Sequence, residues 1–476
     1  MLFNSIQFII FFAVVTPAYF LLPDKQRWKL LLAASCYFYM TFVPVYLLIL
    51  GFTIIVDYLA AILIENAKGK SRKLYLILSL CANLGVLIVF KYYNFLNENL
   101  STVLGSFGYQ NHVPFLSILL PIGLSFHTFQ AMSYTIEVYR GNQKPEKHFG
   151  IYALYVMFYP QLVAGPIERP QNILPQFHEK HRYSYENLRA GLHLMLWGFF
   201  KKVVIADRLA TYVDAVYNNS DKHSAPSLLL ASMFFSIQIY CDFSGYTDIA
   251  RGAAKIMGYD LMINFRRPYF SKSIKEFWQR WHISLSTWFR DYVYKPMGGN
   301  RVSKFFFYRN ILTIFILSGL WHGANWTFIL WGVLHGSFYL IGTFLDGIKK
   351  KIPLFNIDLG IVSTLYHIGV TFLLVSFARI FFRSTSIEQG FSIARNILTW
   401  KSGPFFLGPK ANMYYSIVVI CILFMVEIYQ EYYPEGQFSL FNNRYKLVRH
   451  ATYVTMVLMV FLIGVLNYSQ FIYFQF

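Results

Sequence analysis

The chain has 476 residues, of which 56% are hydrophobic and only 14% are charged, and its mean hydropathy is +0.42. These values exclude an ordinary soluble globular protein, which would need far more polar surface. The net charge of +19 would suit binding to nucleic acid or to a membrane surface, but in so apolar a chain the positive-inside rule explains it more simply. With an aromatic content of 20%, this composition predicts an all-α polytopic membrane protein.

Apolar stretches recur along the chain, close in length to the roughly 20 residues that a helix needs to cross a bilayer. They cover residues 3–22, 29–43, 44–64, 74–91, 114–134, 149–165, 187–206, 227–250, 310–344, 361–381, 412–431 and 451–474. The stretch 310–344 holds either one long helix or two shorter ones. We therefore expect about 11 transmembrane helices, with re-entrant or interfacial helices beside them. No repeat or linker interrupts the chain, which predicts a single domain over residues 1–476.

The charges of the loops predict the orientation of the chain. The loops 24–29, 65–73 and 140–148 are basic, whereas the loop 94–113 contains no Lys or Arg. Basic loops remain in the cytoplasm, so the N-terminus is expected on the outer side.

Residues 251–309, here named the basic segment, form the longest stretch without a membrane-spanning pattern. They contain twelve Lys and Arg against three Asp and Glu, about half of the net charge of the chain. We expect this segment on the cytoplasmic side, where its charges also suit anionic lipid headgroups. Residues 273–294 place large apolar side chains at near-helical spacing, which predicts an amphipathic helix at the membrane interface.

Ionisable side chains within apolar stretches raise functional questions, because a charge at the bilayer centre costs at least about 2.5 kcal/mol. The candidates are Asp57, His127, Glu137, Glu168, Asp242, Asp248, His322 and His335. Structural roles explain most of them. Glu137 has an arginine three residues further on, and Asp242 could bond Tyr246. His127 and His335 are interpreted as core histidines.

Several kinds of site find no support in the sequence. No spacing of histidines and cysteines predicts a metal site, and the four cysteines are interpreted as small buried residues. No phosphate-binding glycine loop and no GxSxG nucleophile motif occurs. Nucleotide hydrolysis and serine-hydrolase chemistry are therefore not expected.

Two histidines are harder to explain as structural. His282 lies in WQRWHISLS of the basic segment, where a functional and a plain interfacial role are equally well supported. His322 lies in SGLWHGANW, with Gly319 and Gly323 leaving room for another backbone or a ligand. An imidazole is the usual general base near neutral pH. The residues alone leave catalysis and structure equally open for His322.

Four stretches together resemble the membrane-bound O-acyltransferases, and within them the bacterial alginate O-acetyltransferase branch. They are PIGLSFHTFQAMSYTIEVYRG (121–141), QLVAGPIERP (161–170), the run from YCDFSGYTDIARG to YKPMGGNR (240–301) and GLWHGANWTFILWGVLHG (319–336). The resemblance runs in order from the N-terminal FNSIQF to at least residue 340. One departure is His127, where an aromatic residue is expected.

The resemblance implies a fold, a reaction and partners. The helices would form a ring around a central tunnel in the bacterial cytoplasmic (inner) membrane. His322 would act as general base on an acceptor hydroxyl that attacks an acyl thioester, and His282 would shape the site or the donor tunnel. Acetyl-CoA would be the donor, with no tightly bound cofactor and no metal. An exported polysaccharide would be the acceptor, reached through an extracytoplasmic partner resembling SGNH hydrolases.

Five further residues complete the predicted site. Asn325 would share a helical face with the catalytic imidazole and orient it or bind the developing oxyanion, although a helix–helix hydrogen bond is the slightly favoured explanation. Trp321 and Trp326 would wall the site from water. Arg280 would help to hold the donor phosphates, and Asp242 would shape the site.

Two other functions compete with acyl transfer. A transporter or flippase for the polysaccharide or its lipid-linked precursor would favour inverted repeats, which we do not find. A non-catalytic scaffold for a secreted partner would not need the imidazole of His322. The sequence does not identify the polysaccharide.

Overall fold

The structure is a computed structural model that describes residues 1–117, 120–163, 165–351, 360–433, 441, 443–465 and 471–472. These residues form helices and no strand. In chain order the helices are α1 (Ile6–Leu21), α2 (Asp24–Met40), α3 (Tyr46–Asn66), α4 (Lys70–Leu87), α5 (Tyr93–Ser106), α6 (Leu124–Arg140), α7 (Phe149–Met157), α8 (Tyr159–Leu162), α9 (Pro170–His178), α10 (Tyr185–Phe199), α11 (Asp207–Tyr217), α12 (Ala225–Ile256), α13 (Ile274–Arg280), α14 (Ile283–Phe289), α15 (Lys304–His322), α16 (Trp326–Lys351), α17 (Ile361–Arg383), α18 (Ile387–Leu398), α19 (Lys410–Tyr432) and α20 (Lys446–Leu462).

The all-α prediction is confirmed, and the helices identify a multi-pass membrane protein. Within the described residues, six helices are long and apolar enough to cross a membrane, namely Tyr46–Asn66, Lys70–Ser106, Ala225–Ile256, Trp326–Ile348, Ile361–Arg383 and Lys410–Tyr432. The count of about 11, the ring, the single domain and the orientation stay predictions. Contacts divide the chain into two compact units, one of residues 1–195 and 249–262, the other of residues 196–248 and 263–476.

Several predicted spans have different boundaries in the structure. The predicted external loop 94–113 is helical as far as Ser106, because α5 continues from α4 through a π-helical turn at Ile88–Tyr92. In the span predicted at 114–134, residues 114–117 and 120–123 are not helical, and the helix begins at Leu124, after Gly123 with a φ of 76°. The stretch 310–344 contains two helices, α15 and α16. Apolar composition therefore located these segments but not their breaks.

Several polar side chains buried in the first unit bond to one another. Ser79 donates to Asp57 at 2.6 Å, and Asn83 donates to the same carboxylate at 2.9 Å. The imidazole of His127 lies 2.6 Å from the hydroxyl of Thr53, as expected for a core histidine. These bonds explain the groups structurally.

The predictions for Glu137, Glu168 and the four cysteines have different outcomes in the structure. Glu137 pairs with Arg140 at 3.1 Å, as predicted. Glu168 is buried and accepts a hydrogen bond from the Nδ2 of Asn172 at 2.7 Å, so it is more than an interfacial turn. The interpretation of all four cysteines as buried is wrong, because Cys81 and Cys421 lie on the surface of apolar spans.

The second unit buries two lysines that the sequence analysis did not single out, Lys201 and Lys202. They lie in the π-helical segment Phe200–Ala206, which continues α10. Lys202 is 1% exposed and contacts Asp242 at 2.7 Å and Asp207 at 2.9 Å. Lys201 contacts Asp248 at 2.7 Å. Asp242 therefore pairs with a lysine, whereas a bond to Tyr246 was expected.

Close approach of α10 and α12 makes these ion pairs possible. A Cβ placed on Gly245 of α12 would lie 2.7 Å from the backbone oxygen of Gly198 in α10. Only glycine permits this distance, which brings the lysines after α10 within reach of the aspartates of α12.

Removal of the Lys202 ammonium tests how much this cluster contributes to the free energy of unfolding. We expect Lys202→Met to cost about 3–5 kcal/mol, because Asp207 and Asp242 would stay buried without their cation. The matched control is Lys255→Met, whose partner Asp260 is solvent-exposed and whose loss should cost less than about 1 kcal/mol. Thermal unfolding in detergent measures both variants, and equal midpoints would contradict the expectation.

Candidate active site

His322 is the last residue of α15, at the closed end of a helical hairpin. Gly323, Ala324 and Asn325 form the turn, and α16 begins at Trp326. The predicted position of Asn325 on one helical face with His322 is therefore wrong, because the helix ends between them. The side-chain oxygen of Asn325 accepts from the backbone N–H of Thr327 at 2.9 Å, so Asn325 caps α16.

Small residues hold the two arms of this hairpin together. A Cβ on Gly319 would lie 2.2 Å from the backbone oxygen of Phe328, and one on Gly332 would lie 2.3 Å from that of Phe315. A Cβ on Gly323 would meet the Phe328 ring at 2.1 Å. The glycines of SGLWHG are thus required for the packing that carries His322.

Aromatic rings enclose the His322 side chain, which is 3% exposed. The rings of Trp321, Trp331 and Phe382 lie 5.0, 5.1 and 5.3 Å from the imidazole, each at a steep angle to it. Phe382 comes from α17, so three helices form the enclosure. An imidazole in such a setting is shielded from bulk water.

The predicted amphipathic helix 273–294 is broken at the second histidine. α13 ends at Arg280 and α14 begins at Ile283, and His282 between them has a φ of 42° in the left-handed region. The single-helix prediction is wrong here, although its apolar residues Phe277, Trp281, Leu285 and Trp288 are buried. Such a backbone conformation is uncommon outside glycine and is typical of functional sites.

Hydrogen bonds from Asn264 hold this break. Its backbone oxygen accepts from the N–H of Ile283 at 2.9 Å, and its side-chain oxygen accepts from the hydroxyl of Ser284 at 2.6 Å. The N–H of Arg266 donates to the backbone oxygen of Arg280 at 2.9 Å. An extended strip of chain thus fixes both sides of His282.

The structure brings the two predicted histidines together through one tryptophan. The Trp321 ring lies 5.9 Å from the ring of His282 and 5.0 Å from that of His322. His282 is fully buried and lies outside the six candidate membrane-crossing helices. Burial lowers its pKa to about 3, so its imidazole is neutral at neutral pH.

The remaining predicted site residues have other surroundings. Arg280 pairs with Glu276 and Glu431, each at 2.7 Å, and its role in holding the donor phosphates stays a prediction. Trp326 is 52% exposed at the start of α16, and its role in walling the site from water stays a prediction. Asp242 lies in the lysine cluster, where it also accepts from the N–H of Ile472 at 2.7 Å.

A buried arginine near this centre was not predicted from the sequence. Arg379 of α17 is 3% exposed, and its guanidinium lies 4.3 Å from the centre of the Trp281 ring. It donates to the backbone oxygen of Ser236 at 3.1 Å and to the Tyr269 hydroxyl. A lone arginine in the apolar run 361–381 was the signal available.

Two neighbouring cavities open beside the hairpin. The first, of about 680 Å³, is lined by four cations, Lys275, Arg290, Lys295 and Arg301. The second, of about 500 Å³, is mainly apolar and reaches Trp278 and Ser318, the latter one helical turn before His322. Four residues line both cavities, namely Lys275, Arg290, Tyr294 and Tyr339.

Comparison with known proteins identifies the class. Residues 147–358 match the membrane-bound O-acyltransferase family. The chain is 40% identical over 346 residues to the probable alginate O-acetylase of Azotobacter vinelandii, covering 72% of this chain and 68% of that protein. The chain therefore belongs to the membrane-bound O-acyltransferase family, as the sequence motifs suggested.

Two further relatives extend the comparison. The peptidoglycan O-acetyltransferase of Helicobacter pylori is 34% identical over 431 residues, covering 84% of this chain and 80% of that protein. The teichoic acid D-alanyltransferase of Bacillus subtilis is 30% identical over 256 residues, with coverage of 51% and 64%. The prediction that this chain is an O-acyltransferase is confirmed, and none of these relatives is a transporter.

A methyl group on Gly319 tests the hairpin. Gly319→Ala should force α15 and α16 apart and lower both the unfolding midpoint and acyl transfer, because its Cβ would overlap the Phe328 backbone. Gly342→Ala is the matched control: it lies in α16 with nothing within 4 Å, and alanine should stabilise the helix by up to about 1 kcal/mol. Thermal unfolding in detergent distinguishes them, and an unchanged Gly319→Ala midpoint would contradict the packing argument.

Proposed function

We propose that this protein transfers acetyl groups from cytoplasmic acetyl-CoA to hydroxyls of an exported polysaccharide, with His322 as general base. The observation that carries the proposal is the position of His322, buried among aromatic rings one turn beyond a cavity whose neighbour is basic. A base needs a neutral nitrogen, a hydroxyl within reach and exclusion of water, so that the thioester is not hydrolysed.

The two cavities suit the two halves of acetyl-CoA. Its nucleotide carries phosphates, which the cations of the larger cavity would bind, and its acyl-bearing arm would enter the apolar cavity toward Ser318. Arg290 and Lys295 already pair with Asp291. No acidic partner of Lys275 or Arg301 lies within 4 Å in the part of the chain that the structure describes. These two cations are therefore the best candidates for donor binding.

His282 supports this centre through Trp321. Its left-handed backbone places a neutral imidazole against the ring that also contacts His322. We assign it the role of shaping the site at the end of the donor path.

The relatives support the proposed acceptor class. Their names specify alginate and peptidoglycan, both of which lie outside the cytoplasm, so an exported polysaccharide is the acceptor class for this chain as well. The protein would lie in the bacterial inner membrane. Acetyl transfer on the outer side would involve an extracytoplasmic partner resembling SGNH hydrolases.

Loss of the imidazole is the direct test. In inside-out membrane vesicles from a strain that lacks the native gene and carries the variant, His322→Ala should abolish transfer of radiolabel from acetyl-CoA and the coupled release of CoA. The control is His450→Ala, an exposed histidine of α20. Full activity of His322→Ala would contradict the proposal and favour the scaffold.

Neutralisation of Lys275 and Arg301 tests the donor cavity. We expect Lys275→Gln and Arg301→Gln each to raise the KM for acetyl-CoA by about 10-fold with kcat within about 2-fold, because one charge-assisted bond contributes about 1.5–3 kcal/mol. Lys304→Gln, a neighbouring exposed lysine that does not line the cavity, should leave KM unchanged. Equal KM values for all three would place the nucleotide elsewhere.

A further inference from the structure

Three polar side-chain atoms on α13 and α16 are buried without a hydrogen-bond partner among the residues that the structure describes. They are the indole Nε1 of Trp278, the indole Nε1 of Trp331 and Nδ1 of His335. An indole N–H is a donor only, and a buried donor left unpaired costs about 1–3 kcal/mol. Trp331 and His335 are 4% and 1% exposed, so bulk water does not satisfy them.

The three side chains form one cluster. The His335 ring lies 5.1 Å from that of Trp278 and 4.8 Å from that of Trp331, and the two indoles are 5.8 Å apart. The cluster joins the apolar cavity to the catalytic imidazole, because Trp278 lines that cavity and the Trp331 ring lies 5.1 Å from that of His322.

We propose that the indole N–H groups of Trp278 and Trp331 bind the carbonyl oxygen of the acyl thioester and stabilise the oxyanion that forms on it. This inference rests on the proposed function and adds two catalytic residues to it. The acyl end of a donor in the apolar cavity would reach Trp278 first, with Trp331 between that point and the base.

The reaction then balances with groups already described. The acceptor hydroxyl gives its proton to His322 while its oxygen bonds the carbonyl carbon, and the carbonyl electron pair moves onto oxygen, where the indoles donate to it. Collapse restores the C=O bond, breaks the C–S bond and releases the CoA thiolate. The imidazolium of His322 returns the proton to that thiolate, so the products are the acetyl ester and CoA.

The electrostatics of the cluster favour an anion. The guanidinium of Arg379 lies 5.8 Å from the centre of the Phe277 ring, and that ring stacks on His335 at 6.3 Å. No carboxylate lies within 4 Å of Arg379 in the described part of the chain. A buried positive charge without a counterion stabilises negative charge that develops nearby.

Phenylalanine variants test the donors, because they keep an aromatic ring, although a smaller one, and remove the N–H. In the vesicle assay, Trp278→Phe and Trp331→Phe should each lower kcat for acetyl-CoA by about 100-fold, with KM within about 3-fold, as for loss of one oxyanion donor. The matched control is Trp197→Phe, a partly buried tryptophan of the same unit stacked on Phe200 at 5.4 Å, which should keep wild-type kcat. Wild-type kcat in both cluster variants would overturn the proposal.

A second measurement does not depend on the folding of any variant. Dithioacetyl-CoA replaces the carbonyl oxygen by sulfur, a poor hydrogen-bond acceptor. The ratio of the rate with acetyl-CoA to the rate with dithioacetyl-CoA should therefore be at least about 10-fold higher for wild type than for uncatalysed alcoholysis, because the sulfur analogue loses the charge-assisted bonds. Equal ratios would overturn the proposal. A wild type that transfers no label from acetyl-CoA contradicts the proposed function itself, whereas active wild type with unaffected variants contradicts only the indole donors.

Discussion

The contact of α15 with α16 at Gly319 and Gly332 is the constraint on which the candidate site depends. Because the two backbones touch there, the turn that follows His322 is short, and the imidazole lies at the end of a helix among the side chains of its neighbours. Trp331 reaches His322 only because α16 returns along α15 at this distance. A wider hairpin would admit lipid or water beside the imidazole of His322.

The two predicted histidines, His282 and His322, both lie where helices are interrupted. His322 ends α15, and His282 separates α13 from α14 with a left-handed backbone. In the middle of a helix, each side chain would follow the helical surface and face one neighbour. At an interruption the backbone sets its direction, and Asn264 holds that direction for His282 with hydrogen bonds to Ile283 and Ser284. Such precision suits a site that must align three reacting groups.

The membrane class was predictable from the sequence, and short motifs singled out His282 and His322 as candidates, because hydropathy and short motifs are local properties. It did not predict the break at His282, since the apolar spacing of 273–294 is the same for one helix or two. Asn325 was misplaced because the end of α15 depends on packing against Phe328. Lys201 and Lys202 were not predicted as ion-paired residues because two of their three aspartate partners, Asp242 and Asp248, lie at least forty residues away in the chain, on α12.

The cations of the basic segment fall into two groups, those that pair with an acid and those without an acidic partner in the described residues. Arg280 is bound by two glutamates, and with Arg267 it ties the segment to Glu431 of α19. That pairing holds α13 in place, whereas Lys275 and Arg301 line the larger cavity without an acid of their own in the described residues. Net charge alone could not separate these uses. Cations paired with acids hold the segment together with little self-repulsion, whereas cations without an acid partner keep a positive potential that attracts anions.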